Sequence, residues 1–115
     1  MNDLNALSID VEDWFHILDS PTVPTIEQWR SLESRIECNM EKLLAMLDGS
    51  SIKATFFWLG WAAEQHKNLV GKCQREGHEI ASHGYDHVLA YKIGQKSFES
   101  DIERGEKILE DIIGD

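Results

Sequence analysis

Apolar positions along this chain switch repeatedly between short runs and helical spacing, and each switch marks an element. Leu4 to Ile9 reads as a strand that ends near Asp10. Residues 14 to 25 carry Pro21 and Pro24 among turn formers and predict a loop, long for a compact α/β unit. From Ile26 to Leu47, the positions Trp29, Ile36, Met40, Leu43, Leu44 and Leu47 fall mostly at helical spacing. Thr25 fits as the N-cap and Asp48-Gly49 as the stop. Ile52 to Leu59, aromatic and bounded by Gly49-Ser50-Ser51 and Gly60, predicts a buried strand. Trp61 to Glu76, closed by Gly77, predicts a second helix, and His78 to Ser82 a third, short strand. Ser97 to Ile113 predicts the last helix, running on to Asp115. Its apolar face is Phe98, Ile102, Gly105, Leu109 and Ile112, with Glu99, Glu103, Lys107 and Asp111 turned to water.

The expected order is β-α-β-α-β-α, an α/β fold with parallel strands and right-handed crossovers. Three strands are too few to close a barrel and leave sheet edge and apolar face uncovered. The expectation is therefore part of a larger domain, or a chain that covers its open edge by self-association. No internal repeat, low-complexity segment or linker interrupts the rhythm.

Composition narrows the function classes. A chain of 115 residues with 42% hydrophobic content is one folded domain at most. Its net charge of -10 repels phosphate backbones and anionic lipid, which argues against nucleic acid and acidic membranes as partners. Cys38 and Cys73 form no CxxC and sit in helix-like stretches, so buried free thiols are expected. With no secretory h-region and no apolar run of membrane-spanning length, the expected location is cytoplasmic. Work beside a membrane would then go through a partner.

The candidate chemistry lies in two clusters. His83 and His87 follow the third strand, and a four-residue spacing would set both rings on one side of a helical turn. Asp10, Glu12 and Asp13 follow the first strand, where carboxylates crowded together favour a cation among them. Ligands in parallel α/β folds collect at the carboxyl ends of strands, so the two clusters predict one divalent-metal site. Strand alternation puts Asp10 and Glu12 on one face; a turn after Asp10 would instead bring Asp13 inward. Of the other histidines, His16 is expected at the surface, His66 on an exposed helix face, and His78 in a packing or hydrogen-bonding role. Trp58 and Trp61 are expected in the core. So is Trp14, with a sugar-stacking wall as its other reading. No glycine pattern cradles phosphate, and no Ser or Cys stands as a nucleophile.

These residues resemble the polysaccharide deacetylase family, the carbohydrate esterases with a NodB-homology domain. Ser8-Ile9-Asp10-Val11-Glu12-Asp13 resembles the family's first motif, and His83-Gly84-Tyr85-Asp86-His87 its second. Between them, Ala54-Thr55-Phe56-Phe57 and Gly77-His78-Glu79-Ile80-Ala81-Ser82-His83 resemble two further family segments. The run from Asp10 to Phe15 is similar to the branch linked to bacterial exopolysaccharide and exosortase systems. Two departures stand out: Asp-Val-Glu-Asp replaces an adjacent acid pair, and Gly84 replaces Ser or Thr. The family's later arginine, Asp-aromatic and Leu-x-His segments have no counterpart in these 115 residues.

The resemblance implies that residues 1–115 form the N-terminal part of a NodB-like catalytic domain, a partial distorted (β/α) barrel. It implies a metal-dependent hydrolase that removes N-acetyl groups from an N-acetylated glycan. Asp10 would be the general base. His83, His87 and either Glu12 or Asp13 would hold the divalent ion, with zinc the leading choice. The family's leaving-group acid and its arginine lie in the later segments, so this chain alone is expected to bind metal weakly and turn over little. Three other readings stay open: a non-catalytic carbohydrate- or metal-binding module, an interaction domain with structural histidines, and a related amide hydrolase acting on a small molecule or a lipid-linked sugar.

Overall fold

The computed structural model describes residues 3–18 and 22–114. Pro21, within the expected long loop, and the final Asp115 lie outside the described residues. Three strands, β1 (Ser8–Val11), β2 (Thr55–Trp58) and β3 (Glu79–Ser82), pair in parallel in the order β1-β2-β3. Between and after them run α1 (Ile36–Gly49), α2 (Gly60–Gln65), α3 (Lys67–Arg75), α4 (Ala90–Ile93) and α5 (Gln95–Ile113). The fold class is as expected: α/β, with sequential parallel strands as in part of a distorted (β/α) barrel. No described helix is long and apolar enough to cross a membrane.

Element boundaries differ from the expected ones for local reasons. The first strand starts at Ser8 rather than Leu4, because pairing with Thr55 begins there. The first helix starts at Ile36, ten residues later than Ile26. Residues 26–35 bury only Trp29 and form turns plus a single 3₁₀ turn at Trp29–Ser31, so no apolar stripe holds them in a helix. Across the fold, the Asp13 carboxylate accepts the Arg35 N–H at 3.0 Å and a close hydrogen bond from the Ser34 hydroxyl. That acidic group sits at the start of α1, where the amides are free and the helix dipole is positive.

The expected second helix is two helices. His66 breaks it with φ −131° and ψ 43°, and its Nε2 lies 3.1 Å from the Ser34 hydroxyl. Gly77, at φ +90°, then turns the chain into β3. His78 plays the expected bonding role: it is buried, and its Nδ1 accepts the Ala54 N–H at 3.1 Å.

The core lies between the sheet and the helices. Phe56, Trp58, Leu59, Val70 and Cys73 are fully enclosed, with Leu44 and Trp61 close behind. Two expected burials fail. Cys38 is exposed on α1, whereas Cys73 is buried and its thiol is pushed up to about 12 by desolvation. Trp14 is 49% exposed, its indole N–H held by the Glu33 carbonyl at 2.9 Å. On α5, Gly105 and Leu109 face inward as expected, but Phe98 at the helix start is left 37% exposed.

Candidate metal centre

Parallel register brings the two chemical clusters together. Val11, Trp58 and Ser82 occupy matching last positions of the three strands. The ladder continues one step further, with Leu59 N–H on the Val11 carbonyl at 3.2 Å and His83 N–H on the Trp58 carbonyl at 2.9 Å. Glu12 and His83 therefore leave the sheet at the same end, one strand apart from each other across β2.

Three ligand-capable atoms converge there. Glu12, His83 and His87 each offer one within 4.8 Å of the others. His87 Nε2 is 3.2 Å from Glu12 Oε2, and His83 Nε2 is 3.6 Å from Glu12 Oε1. Donors about 2.1 Å from a tetrahedral ion stand about 3.4 Å from one another, so these separations suit one cation. His83 Nε2 is also buried without a hydrogen-bond partner, an orphan that a cation would satisfy. A mixed imidazole and carboxylate set favours zinc over calcium or magnesium.

Of the two expected carboxylates, geometry brings in Glu12 and leaves out Asp13. The Asp13 side chain is buried and committed to Ser34, Arg35 and the Trp14 amide, capping the 3₁₀ turn Trp14–His16 and the approach to α1. Asp10 stays at the rim, its side chain 58% exposed and its Oδ2 3.9 Å from His83 Nε2. It borders the site from the solvent side.

The imidazole pair does not sit on a helical turn. His87 has φ +57°, left-handed, and the two rings meet at 5.1 Å across a kinked loop. His87 Nδ1 donates to the His16 carbonyl at 2.6 Å, which makes Nε2 the lone-pair nitrogen facing Glu12.

His16, expected at the surface, is the residue that sequence reasoning misplaced most. It is 1% exposed and packed edge-on among Phe15, Trp29 and Trp61. Its Nδ1 accepts the Asp13 N–H at 2.7 Å, closing a capping box around the turn. The only sequence signal was its place three residues after Asp13.

Burial pulls His16 down to about 4, against an opposing pull from Asp13. Below the ordinary histidine value of 6.5 the unfolded chain takes up the proton while the folded one does not. Stability is therefore expected to be full above that value and to fall as pH drops towards about 4, by up to about 1.4 kcal/mol per pH unit from this group. His66 and His78 are lowered by burial and add in the same direction. Urea unfolding at a series of pH values measures the slope. His16→Gln, which keeps an acceptor but does not titrate, should flatten it; an unchanged slope would remove His16 from the account.

Known proteins share this arrangement of elements. The polysaccharide deacetylase family model matches residues 26–115. A peptidoglycan-N-acetylglucosamine deacetylase of Bacillus cereus is 37% identical over 73 residues, taking in 64% of this chain and 26% of that protein. The crystal structure of a peptidoglycan N-acetylglucosamine deacetylase in complex with 4-naphthalen-1-yl-N-oxidanyl-benzamide superposes with a TM-score of 0.69 at 29% identity. That match covers 95% of this chain and 41% of that one. A CE4 family pseudoenzyme from Bacillus anthracis shares the fold at TM-score 0.71 and 15% identity, over 96% of this chain and 31% of its own. The chain thus spans well under half the length of these relatives.

Proposed function

The chain belongs to the polysaccharide deacetylase family, and from that premise we propose that it carries the metal-holding part of an N-deacetylase site for N-acetylated glycans. The observation that carries the reading is the convergence of Glu12, His83 and His87 beside Asp10. Glu12, His83 and His87 would hold the ion, with zinc favoured by the donor set. When bound, the ion supplies positive charge that polarises the amide carbonyl and acidifies a water. Asp10, exposed at the rim, would accept the proton of the attacking water. His16 keeps His87 in the ligating tautomer through its carbonyl.

Breaking an amide also requires a proton on the departing nitrogen, since an amide anion is too basic to leave. The family's acid for that step lies in a motif absent from these 115 residues. The chain by itself is therefore expected to bind the ion and release little acetate.

Calorimetric titration of zinc into the metal-stripped chain tests the reading. One equivalent should bind. Glu12→Gln should weaken binding by more than about tenfold, because it removes a ligand charge. Asp13→Ala should leave zinc affinity unchanged and cost about 1 kcal/mol of stability through the lost caps. A larger loss of affinity from Asp13 than from Glu12, or no zinc bound at all, refutes the assignment. Brisk acetate release from N-acetylglucosamine oligomers by the chain alone would refute its division from the acid.

A further inference from the structure

We propose that Asp101, on α5, is a positioning residue that holds the His83–His87 turn in the shape that aims both imidazoles at Glu12. The turn has two kinks at positive φ, Gly84 at +72° and His87 at +57°. A left-handed histidine costs about 1–2 kcal/mol and persists only where its surroundings over-determine it. Between the kinks lie Tyr85 and Asp86. Both of their amides donate to one carboxylate, Tyr85 to Oδ2 and Asp86 to Oδ1 of Asp101, each at 3.0 Å. Hydrogen bonds from amide N–H groups to a carboxylate are roughly twice as strong as those to neutral acceptors.

Geometry on α5 explains the reach. Asp101 is one turn before Gly105, so both lie on the helix face that meets the turn. At Gly105 the backbone passes so close that a Cβ would stand 2.8 Å from the Gly84 oxygen. A Cβ on Gly84 would stand 2.6 Å from Asp101 Oδ2, so the carboxylate fills the space beside the first kink. From the other side, α2 donates its first amides to the same turn: Gly60 N–H to the Gly84 carbonyl at 2.7 Å and Trp61 N–H to the Tyr85 carbonyl at 3.2 Å. Carbonyls are held by α2 and amides by Asp101, so the Gly84–Tyr85 and Tyr85–Asp86 peptide planes lose their freedom to rotate.

The effect on ion binding rests on the metal reading above; the effect on the turn does not. Asp101→Asn keeps the size but sets an NH₂ against an amide N–H. Asp101→Ala removes both acceptors, and Glu106→Gln, exposed on the same helix, is the charge control. In metal-free ¹⁵N-labelled protein, the Tyr85 and Asp86 amides should exchange about tenfold faster or more in both Asp101 variants, with Leu109 unchanged. The hydrogen-bonded His87 Nδ1–H signal should weaken. Zinc should bind about tenfold more weakly to Asp101→Asn, at wild-type affinity to Glu106→Gln, and the cobalt spectrum of the Asp101 variant should change. Unchanged amide protection overturns the proposal, as does lost protection with zinc affinity intact. If the wild-type chain binds no zinc, the metal reading falls and the exchange data alone decide the role of Asp101. Should Asp101→Ala not fold, Asp101→Asn carries the test.

Discussion

Alanine at both His83 and His87 is expected to abolish stoichiometric zinc binding while the fold survives. The double change removes two of the three converging donors and leaves Glu12 with the exposed Asp10. Two carboxylates make a hard oxygen site with little preference for zinc, so affinity should fall by far more than about 100-fold, beyond the loss expected from a supporting residue alone. Both side chains are partly exposed, at 29% and 19%, so truncation opens no large cavity. The circular dichroism spectrum should be unchanged and the melting temperature only modestly lower, from the lost His87 bond to His16. Zinc retained at one equivalent with native affinity would mean that these imidazoles are structural and the cation, if any, lies elsewhere.

Gly105→Val is expected to damage the site from behind. Even the first carbon of a side chain at Gly105 would stand 2.8 Å from the Gly84 oxygen, 2.9 Å from its carbonyl carbon and 3.1 Å from Ser82 Oγ. Two of those atoms are backbone and cannot swing away. The Gly84 oxygen is also the acceptor for the first amide of α2, which has no side-chain cap. Valine must push α5 off the sheet or push the His83–His87 turn off α2. Overpacking of this kind costs about 1–3 kcal/mol, and the rigid neighbours place this case at or above the upper end. Urea unfolding should show that loss, and zinc affinity should fall with it because the turn carries both histidines. Gly105→Ala should give a weaker version of both effects. Native stability in Gly105→Val would show that the helix has room to retreat and that close approach is not what sets the turn.

Long-range pairing explains why some boundaries were legible and others not. β3 was found to the end residue, because Gly77 and the apolar run before His83 are local signals. The start of α1 was missed by ten residues. Its true start depends on Asp13, more than twenty positions earlier in the chain, taking the Arg35 amide. The break at His66 was likewise invisible, since the poorest helix former in Trp61 to Glu76, Gly71, lies inside α3 and not at the break.

Sequence alone determined the α/β order, the family resemblance and the residue types of the candidate site, because alternation, helical spacing and short motifs are local properties of a chain. It also determined that Asp10, Glu12, His83 and His87 would lie at one end of a parallel sheet. Only the tertiary structure sets Glu12, and not Asp13, beside the two imidazoles, since Ser34 and Arg35 capture the Asp13 carboxylate. Packing alone enclosed His16 among Phe15, Trp29 and Trp61 and let its carbonyl orient His87. The two imidazoles meet through a left-handed kink, not through helical spacing, and Asp101 reaches that kink from a helix whose sequence gives no sign of it. Hydrogen bonds between distant segments choose among conformations that local sequence leaves nearly equal in energy, and they exist only once the chain has packed.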